Sequence, residues 1–309
     1  MTDLVLHIGA HKTGTSSIQR SLWINRDALG EERVMFFCAD PFTDKYSGNI
    51  SFGFDHSRIE NGDVRIRLRL YEALDQCLKE KTSKADMVVI SSECFFWLAN
   101  EHSISQLAKR LFKRFENIRV ILYLRRQDRH ALSHYQQALR TDAERLFFEH
   151  KRYPLPVLNS RVFQYLDFYS KIRIWSTAFG KDRLSVFNYD EMVARGEDVV
   201  VHFFKQLGTK APLETKRINQ SFNGLQAELG FWLLRNNVNP LQHEWRQLIN
   251  AIRSDYKLAP SRQEAIEFYD NFRKKNILLA SAVSEPSTLE YFDTDFSEFP
   301  SHRNSVLSN

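Results

Sequence analysis

The strongest constraint on this chain is local. Leu4-Val5-Leu6-His7-Ile8 is a short apolar strand that runs without a spacer into Gly9-Ala10-His11-Lys12-Thr13-Gly14-Thr15-Ser16-Ser17-Ile18-Gln19. Ile18 and Leu22, one helical turn apart, supply the apolar face of a helix opening near Thr15. A turn of this kind points several backbone N–H groups and the positive end of a helix dipole at one spot, where a phosphate can sit. The order Gly-x-x-x-x-Gly is that of a phosphate-cradling loop, yet Thr15 stands where a lysine is expected after the second glycine. The lysine lies two residues before Gly14 instead, so it reaches a different atom of whatever anion the loop holds. The structural alternative is a Gly-Thr turn starting an ordinary helix, with Ser16 and Gln19 forming a capping box.

Two further strand ends carry chemistry. Val120-Ile121-Leu122-Tyr123-Leu124 is an unbroken apolar run, as expected of a parallel strand buried on both faces. It ends in Arg125-Arg126-Gln127-Asp128-Arg129, and Ser133 follows eight residues after Arg125 on the next helix. A guanidinium offers two parallel charge-assisted hydrogen bonds to a phosphate monoester, and a helix serine can return toward the strand end as a hydroxyl donor. The alternative is a solvated, arginine-rich helix entrance. Met87-Val88-Val89-Ile90 leads into Ser91-Ser92-Glu93. A nucleotide triphosphatase prefers an Asp at such a strand end to hold magnesium, and none stands here.

The lysine-shifted form His-Lys-Thr-Gly-Thr-Ser-Ser-Ile-Gln resembles the phosphosulfate loop of sulfotransferases, enzymes that use 3′-phosphoadenylyl sulfate (PAPS). The likeness is to the bacterial and carbohydrate-directed branches. It implies that His11, Lys12, Thr13, Gly14, Thr15 and Ser16 hold the 5′-phosphosulfate, with Lys12 on the bridging oxygen. It likewise implies that Arg125 and Ser133 hold the 3′-phosphate; Arg126 and Arg129 are weaker candidates, because the motif often has Asn and Pro after its arginine. Ser-Ser-Glu at a strand end is similar to bacterial members, which places Glu93 as candidate general base. His56, in a polar loop, is a rival, and His11, His7 and Asp55 remain open. Trp175 and Phe179-Gly180, the following strand and Tyr189-Asp190-Glu191 resemble a further family pattern, although core packing is the favoured reading of Trp175 and Phe179. Arg217-Ile218-Asn219-Gln220-Ser221 is similar to an Asn-x-Ser segment of bacterial members. The Arg-Lys-Gly loop of the small-molecule branch is not evident near the C-terminus. The implied chemistry needs PAPS as co-substrate and requires no metal.

Strands and helices alternate along the chain, which predicts one α/β domain with a mainly parallel, doubly wound sheet flanked by helices; the resemblance adds a P-loop-like architecture. The expected boundaries are a domain over 1–283 and a polar C-terminal tail over 284–309. Residues 39–61 read as a polar, substrate-facing loop, and 141–160 as a surface excursion over the site. With 309 residues, 43% of them hydrophobic, the chain can bury a large core. Its formal charge of +5 suits an anionic ligand without requiring nucleic acid. Lys109, Arg110, Lys113 and Arg114 read as a solvated helix face. Cys38, Cys77 and Cys94 lack metal-ligand spacing and read as reduced core cysteines of a cytoplasmic, bacterial protein. No apolar stretch approaches the roughly 20 residues of a membrane span. Phe52, Phe54 and Tyr46 are expected to stack on the sugar faces of a glycan or glycolipid acceptor. Two other functions remain compatible with the sequence: a non-catalytic nucleotide-binding scaffold and a P-loop small-molecule kinase.

Overall fold

The computed structural model describes residues 2–42, 45–46, 48–81, 85–151, 153–209, 214–215, 222–283 and 290–304. In chain order the elements that build the core are β1 (Asp3–His7), α1 (Thr15–Ile24), β2 (Val34–Phe37), α2 (Leu68–Lys81), β3 (Met87–Ser91) and α3 (Glu101–Phe112). They continue with β4 (Ile118–Leu124), α4 (Gln127–Tyr135), α5 (Phe168–Phe179), β5 (Leu184–Asn188) and α6 (Val199–Leu207). The five strands form one sheet in the order β2-β3-β1-β4-β5, and every neighbouring pair is parallel. The expected doubly wound α/β domain is therefore the observed one. The register is in step across the middle: His7 pairs with Ser91 on one side and Ile121 on the other.

The apolar strand runs are buried on both faces, and alternate residues serve alternate layers. Leu4, Leu6, Val88, Ile90, Val120 and Leu122 join one core with side chains of α2, α3 and α5. Val5, Val89, Ile121 and Tyr123 join the other with Ile18 and Leu22 of α1 and Val200 and Phe203 of α6. Each fully buried Leu, Ile or Phe contributes about 1.5–3 kcal/mol relative to exposure. Trp175 and Phe179 stack on each other in the first core, ring centroids 5.3 Å apart, in keeping with the packing reading. The three cysteines are free and buried. Lys109 and Lys113 are exposed, whereas Arg114 reaches across to pair with Asp75 of α2.

Four segments differ from the simplest reading of the sequence. The 141–160 stretch is not a surface excursion: it contains a short helix, Asp142–Phe147, and buries Phe147, Phe148, Tyr153 and Leu155. The alternation of charged and aromatic residues there hid an inward aromatic face. Within 39–61, Phe54 is fully buried and meets Phe95 edge-on at 5.0 Å, so it is a core residue and not a sugar platform. Phe52 packs partly buried against Phe37. Asp63–Ile66 pairs antiparallel with Phe54–Arg58, so the helix before β3 begins only at Leu68. The segment 217–221, which is similar to bacterial family members, lies outside the described residues.

Residues 290–304, expected to belong to an aperiodic tail, fold back onto the domain and bury Phe292, Phe296 and Phe299. Arg126 holds them there. Its guanidinium is fully buried, forms a two-bond pair with Asp128 at 2.8 and 2.9 Å, and also donates to Asp293 Oδ1, to the Asp295 carbonyl and to Glu298 Oε1. Arg129 pairs with Asp293, Glu298 and Asp190. Both arginines are thus committed to carboxylates of the protein, which removes Arg126 as a phosphate ligand. Removing one partner of a buried charge network leaves the others uncompensated. Arg126→Ala is expected to cost about 3 kcal/mol, toward the low end for such networks because Asp293 and Glu298 are half in solvent. Urea denaturation measures the loss, and limited proteolysis should show cleavage within 290–304 before the rest of the chain is cut.

Candidate functional site

In an open parallel sheet the ligand crevice lies beyond the carboxyl ends of the strands, where the strand order reverses. Here β1, β3 and β4 are adjacent, so their three C-terminal loops meet. Together they line one cavity of about 430 Å³ walled by His11, Lys12, Gly14, Thr15, Ser16, Glu93, Arg125 and Ser133. Thr13 is buried beneath the loop, where its hydroxyl donates to the Ala10 carbonyl at 2.7 Å. Of the candidate bases, His7, Asp55 and His56 do not line this cavity. His56 is half-buried beside the β3 end, its Nε2 3.6 Å from Cys94 Sγ.

The loop geometry depends on its glycines. Gly14 caps α1 with φ +85°, and a Cβ there would lie 2.5 Å from Val199 Cγ1 of α6. A Cβ on Gly9 would meet Thr15 Oγ1 at 2.5 Å and the His7 ring at 2.9 Å. Between them Lys12 itself adopts φ +64°, a left-handed conformation that side chains other than glycine's adopt at a cost. No capping box forms at α1: Gly14 makes no side-chain cap bond, and Gln19 turns away to donate to the Ser91 carbonyl at 3.2 Å and Glu93 Oε2 at 3.0 Å. The first N–H groups of α1 are therefore left without a side-chain cap on the cavity side, the condition an anion site requires.

Lys12 and Arg125 share the cavity with Glu93, Glu197 and Asp198. Burial, with Arg140 and Arg125 nearby, pulls the Lys12 ammonium down to about 8, against the opposing pull of Glu144. Arg125 donates from Nε to Asp190 Oδ1 at 3.3 Å, which aims the guanidinium while its remaining N–H groups face the cavity. Asp190 also accepts the Arg126 backbone N–H at 2.7 Å. Arg125, Ser133 and Arg140 continue into a second, larger cavity of about 1090 Å³, whose rim also holds Arg253 and Lys257.

The two candidate bases differ in protonation. Burial raises the Glu93 carboxyl, opposed by hydrogen bonds from its backbone and from Gln19. Burial lowers the His56 imidazole, aided by Arg67 and opposed by Glu144 and Asp55, so it is neutral near pH 7. His7 is held at about 3 by burial and contacts Ser91 Oγ at 2.8 Å beneath the loop, a structural rather than solvent-facing position. Asp55 caps its own turn by accepting from the Ser57 N–H.

Several residues of the site carried no motif. Glu144 is buried behind the loop, 3.8 Å from His11 and 3.7 Å from His134, and Tyr165 contacts His11 Nδ1 at 2.7 Å. Val199 packs under Gly14, and Asp198 caps α6 at the cavity edge. Only Asp198, ahead of an apolar helix, had a local signal.

No protein-family model matches this sequence. A curated relative from Archaeoglobus fulgidus, itself described only as an uncharacterized protein, is 28% identical over 221 residues; the match covers 67% of this chain and 54% of the relative, so it spans about half of that protein's length. Among solved structures, a sulfotransferase from Alicyclobacillus acidocaldarius overlaps 81% of this chain and 96% of its own, at 16% identity and a TM-score of 0.38.

If the Lys12 backbone is strained as its φ indicates, glycine should relieve it and alanine should not. Lys12→Gly is expected to be about 1 kcal/mol more stable than Lys12→Ala, read as a difference in urea midpoint at unchanged slope. Equal stabilities would mean that the loop relaxes without cost.

Proposed function

We propose that this protein transfers a sulfuryl group from PAPS to a hydroxyl or amine of an acceptor. The observation that carries the reading is a single cavity joining the lysine-shifted loop to Arg125 and Ser133. A ligand bearing two separate phosphate groups matches that arrangement of cations and N–H donors; a ligand with one phosphate leaves half of it unused.

In this reading the backbone of Thr13 to Ser16 and the N-terminus of α1 hold the 5′-phosphate, Lys12 faces the bridging oxygen, and Arg125 with Ser133 hold the 3′-phosphate. The bond between sulfur and the bridging oxygen breaks as the bond from sulfur to the acceptor oxygen forms, and the acceptor's proton passes to a base. Negative charge grows on the departing phosphate, where a fixed ammonium stabilises the transition state more than the ground state. Glu93, in the cavity and raised in pKa, is the preferred base; His56 lies beside the same strand end. The hydroxyl- and arginine-rich surroundings favour a carbohydrate or glycolipid acceptor. A kinase would need an acidic magnesium ligand at the β3 end, where Ser91-Ser92-Glu93 stands. A scaffold would bind the bisphosphate without turnover.

Calorimetric titration with adenosine 3′,5′-bisphosphate is expected to show saturable binding, weaker binding of ATP–Mg²⁺, and a loss of about 1.5–3 kcal/mol in Arg125→Ala. Preference for ATP–Mg²⁺ would favour the kinase. With PAPS and a panel of glycan acceptors, Lys12→Ala should lower turnover by about 100-fold or more while bisphosphate still binds. Binding without turnover by the wild type on every acceptor would favour the scaffold.

A base must be deprotonated to act, and the Glu93 carboxyl is raised. The rate should therefore climb as pH rises through that raised value, and Glu93→Gln should abolish the climb. An unchanged profile in Glu93→Gln would transfer the role to His56.

A further inference from the structure

Behind the phosphate loop three side chains from three elements converge: His11 from the loop, His134 from the last turn of α4, and Glu144 from the short helix Asp142–Phe147. The two imidazole Nε2 atoms face the same carboxylate oxygen, Glu144 Oε1, at 3.8 and 3.7 Å, too long for hydrogen bonds. One donor atom from each residue lies within 4.8 Å of the others. The rings stack with centroids 4.5 Å apart and 19° between planes. His134 is 1% exposed, and its Nε2 has no hydrogen-bond partner. A buried polar atom left in that condition is destabilising unless something binds it.

His11 is oriented in the manner of a ligand. Its Nδ1 is 2.7 Å from the Tyr165 hydroxyl; in the tautomer where Nδ1–H donates to that oxygen, Nε2 keeps a free lone pair aimed at Glu144. A second-sphere acceptor on the far ring nitrogen is the usual companion of a metal-bound histidine. Trp97 and Phe147 wall the cluster with aromatic surface, while His11 reaches the cavity, which leaves one open approach.

We infer that His11, His134 and Glu144 form a binding site for a divalent transition metal of the zinc class, with a fourth position open toward the cavity. Two imidazoles and one carboxylate suit Zn²⁺ and its neighbours, while Mg²⁺ and Ca²⁺ prefer all-oxygen sites. Metal–donor bonds of about 2.0–2.2 Å place tetrahedral ligands roughly 3.4 Å apart, so the contacts with Glu144 close by a few tenths of an ångström. The ion would tie the phosphate loop to α4 and to the 142–147 helix, clamping Lys12 from behind. Sulfuryl transfer needs no metal, and the inference stands or falls independently of that reading.

The test uses the full-length protein, stripped with chelator and titrated with Co²⁺ followed visibly by its d–d absorption, then displaced by Zn²⁺. One equivalent per chain is expected. Glu144→Gln and His134→Leu should abolish the spectrum, exposed His102→Ala should leave it unchanged, and Tyr165→Phe should weaken binding by about 10–100-fold, as second-sphere changes do. Absence of saturable Co²⁺ binding by folded wild type overturns the site, whatever the variants do. Equal affinity in Glu144→Gln overturns it as well. Circular dichroism of each variant separates lost ligation from lost folding.

Discussion

β1 is hydrogen-bonded on both sides, to β3 and to β4, with His7 level with Ser91 and Ile121. Everything functional in this chain depends on that placement. The three strands are far apart in sequence and carry, at their ends, a lysine-bearing loop, a Ser-Ser-Glu turn and an arginine. Because the chain crosses to β2 before returning to β3, and then jumps over β1 to β4, the helices leave in opposite directions and open a crevice at the strand ends. A sheet with the same strands in sequential order would separate the same residues across its width.

Charge is handled differently in front of the loop and beneath it. In front, Lys12 and Arg125 share the cavity with Glu93, Glu197 and Asp198, and burial pulls the lysine down to about 8. Asp190 orients Arg125 without occupying its whole fork. Away from the cavity, charges are matched. Arg126 and Arg129 gather Asp128, Asp293 and Glu298, and through them the end of the chain becomes part of the domain. Two neighbouring arginines in one motif thus have opposite fates, one aimed into the cavity and one buried in carboxylates. The strand pleat is the reason: successive residues leaving β4 point to opposite sides.

Much of the architecture was legible because its signals are local. Apolar runs marked the three central strands β1, β3 and β4, and their lack of alternation announced burial on both faces, whereas the edge strand β5 (Leu-Ser-Val-Phe-Asn) is only partly buried. The loop could be read because its glycines have a backbone reason to be there, as the close approach of Val199 to Gly14 makes plain. Less legible was the 141–160 stretch, whose Phe147, Phe148 and Tyr153 face inward among charged neighbours that face out. Over so short a helix no period emerges. Phe54 misled in the same way, since an aromatic residue in a polar loop reads equally as a platform or as an anchor.

What the order of residues determined was the central strands, the parallel character of the sheet and the strand-end loops that carry Lys12 and Arg125, because propensity, hydrophobic period and backbone freedom all act within a few residues. Only the tertiary structure decided which arginine faces the cavity, that residues 290–304 belong to the core, and that His11, His134 and Glu144 share one buried point. Those outcomes depend on burial and on which side chains meet across the fold. A carboxylate's partner is set by distance in space, and no local pattern at Glu144 encodes that it will lie between two imidazoles.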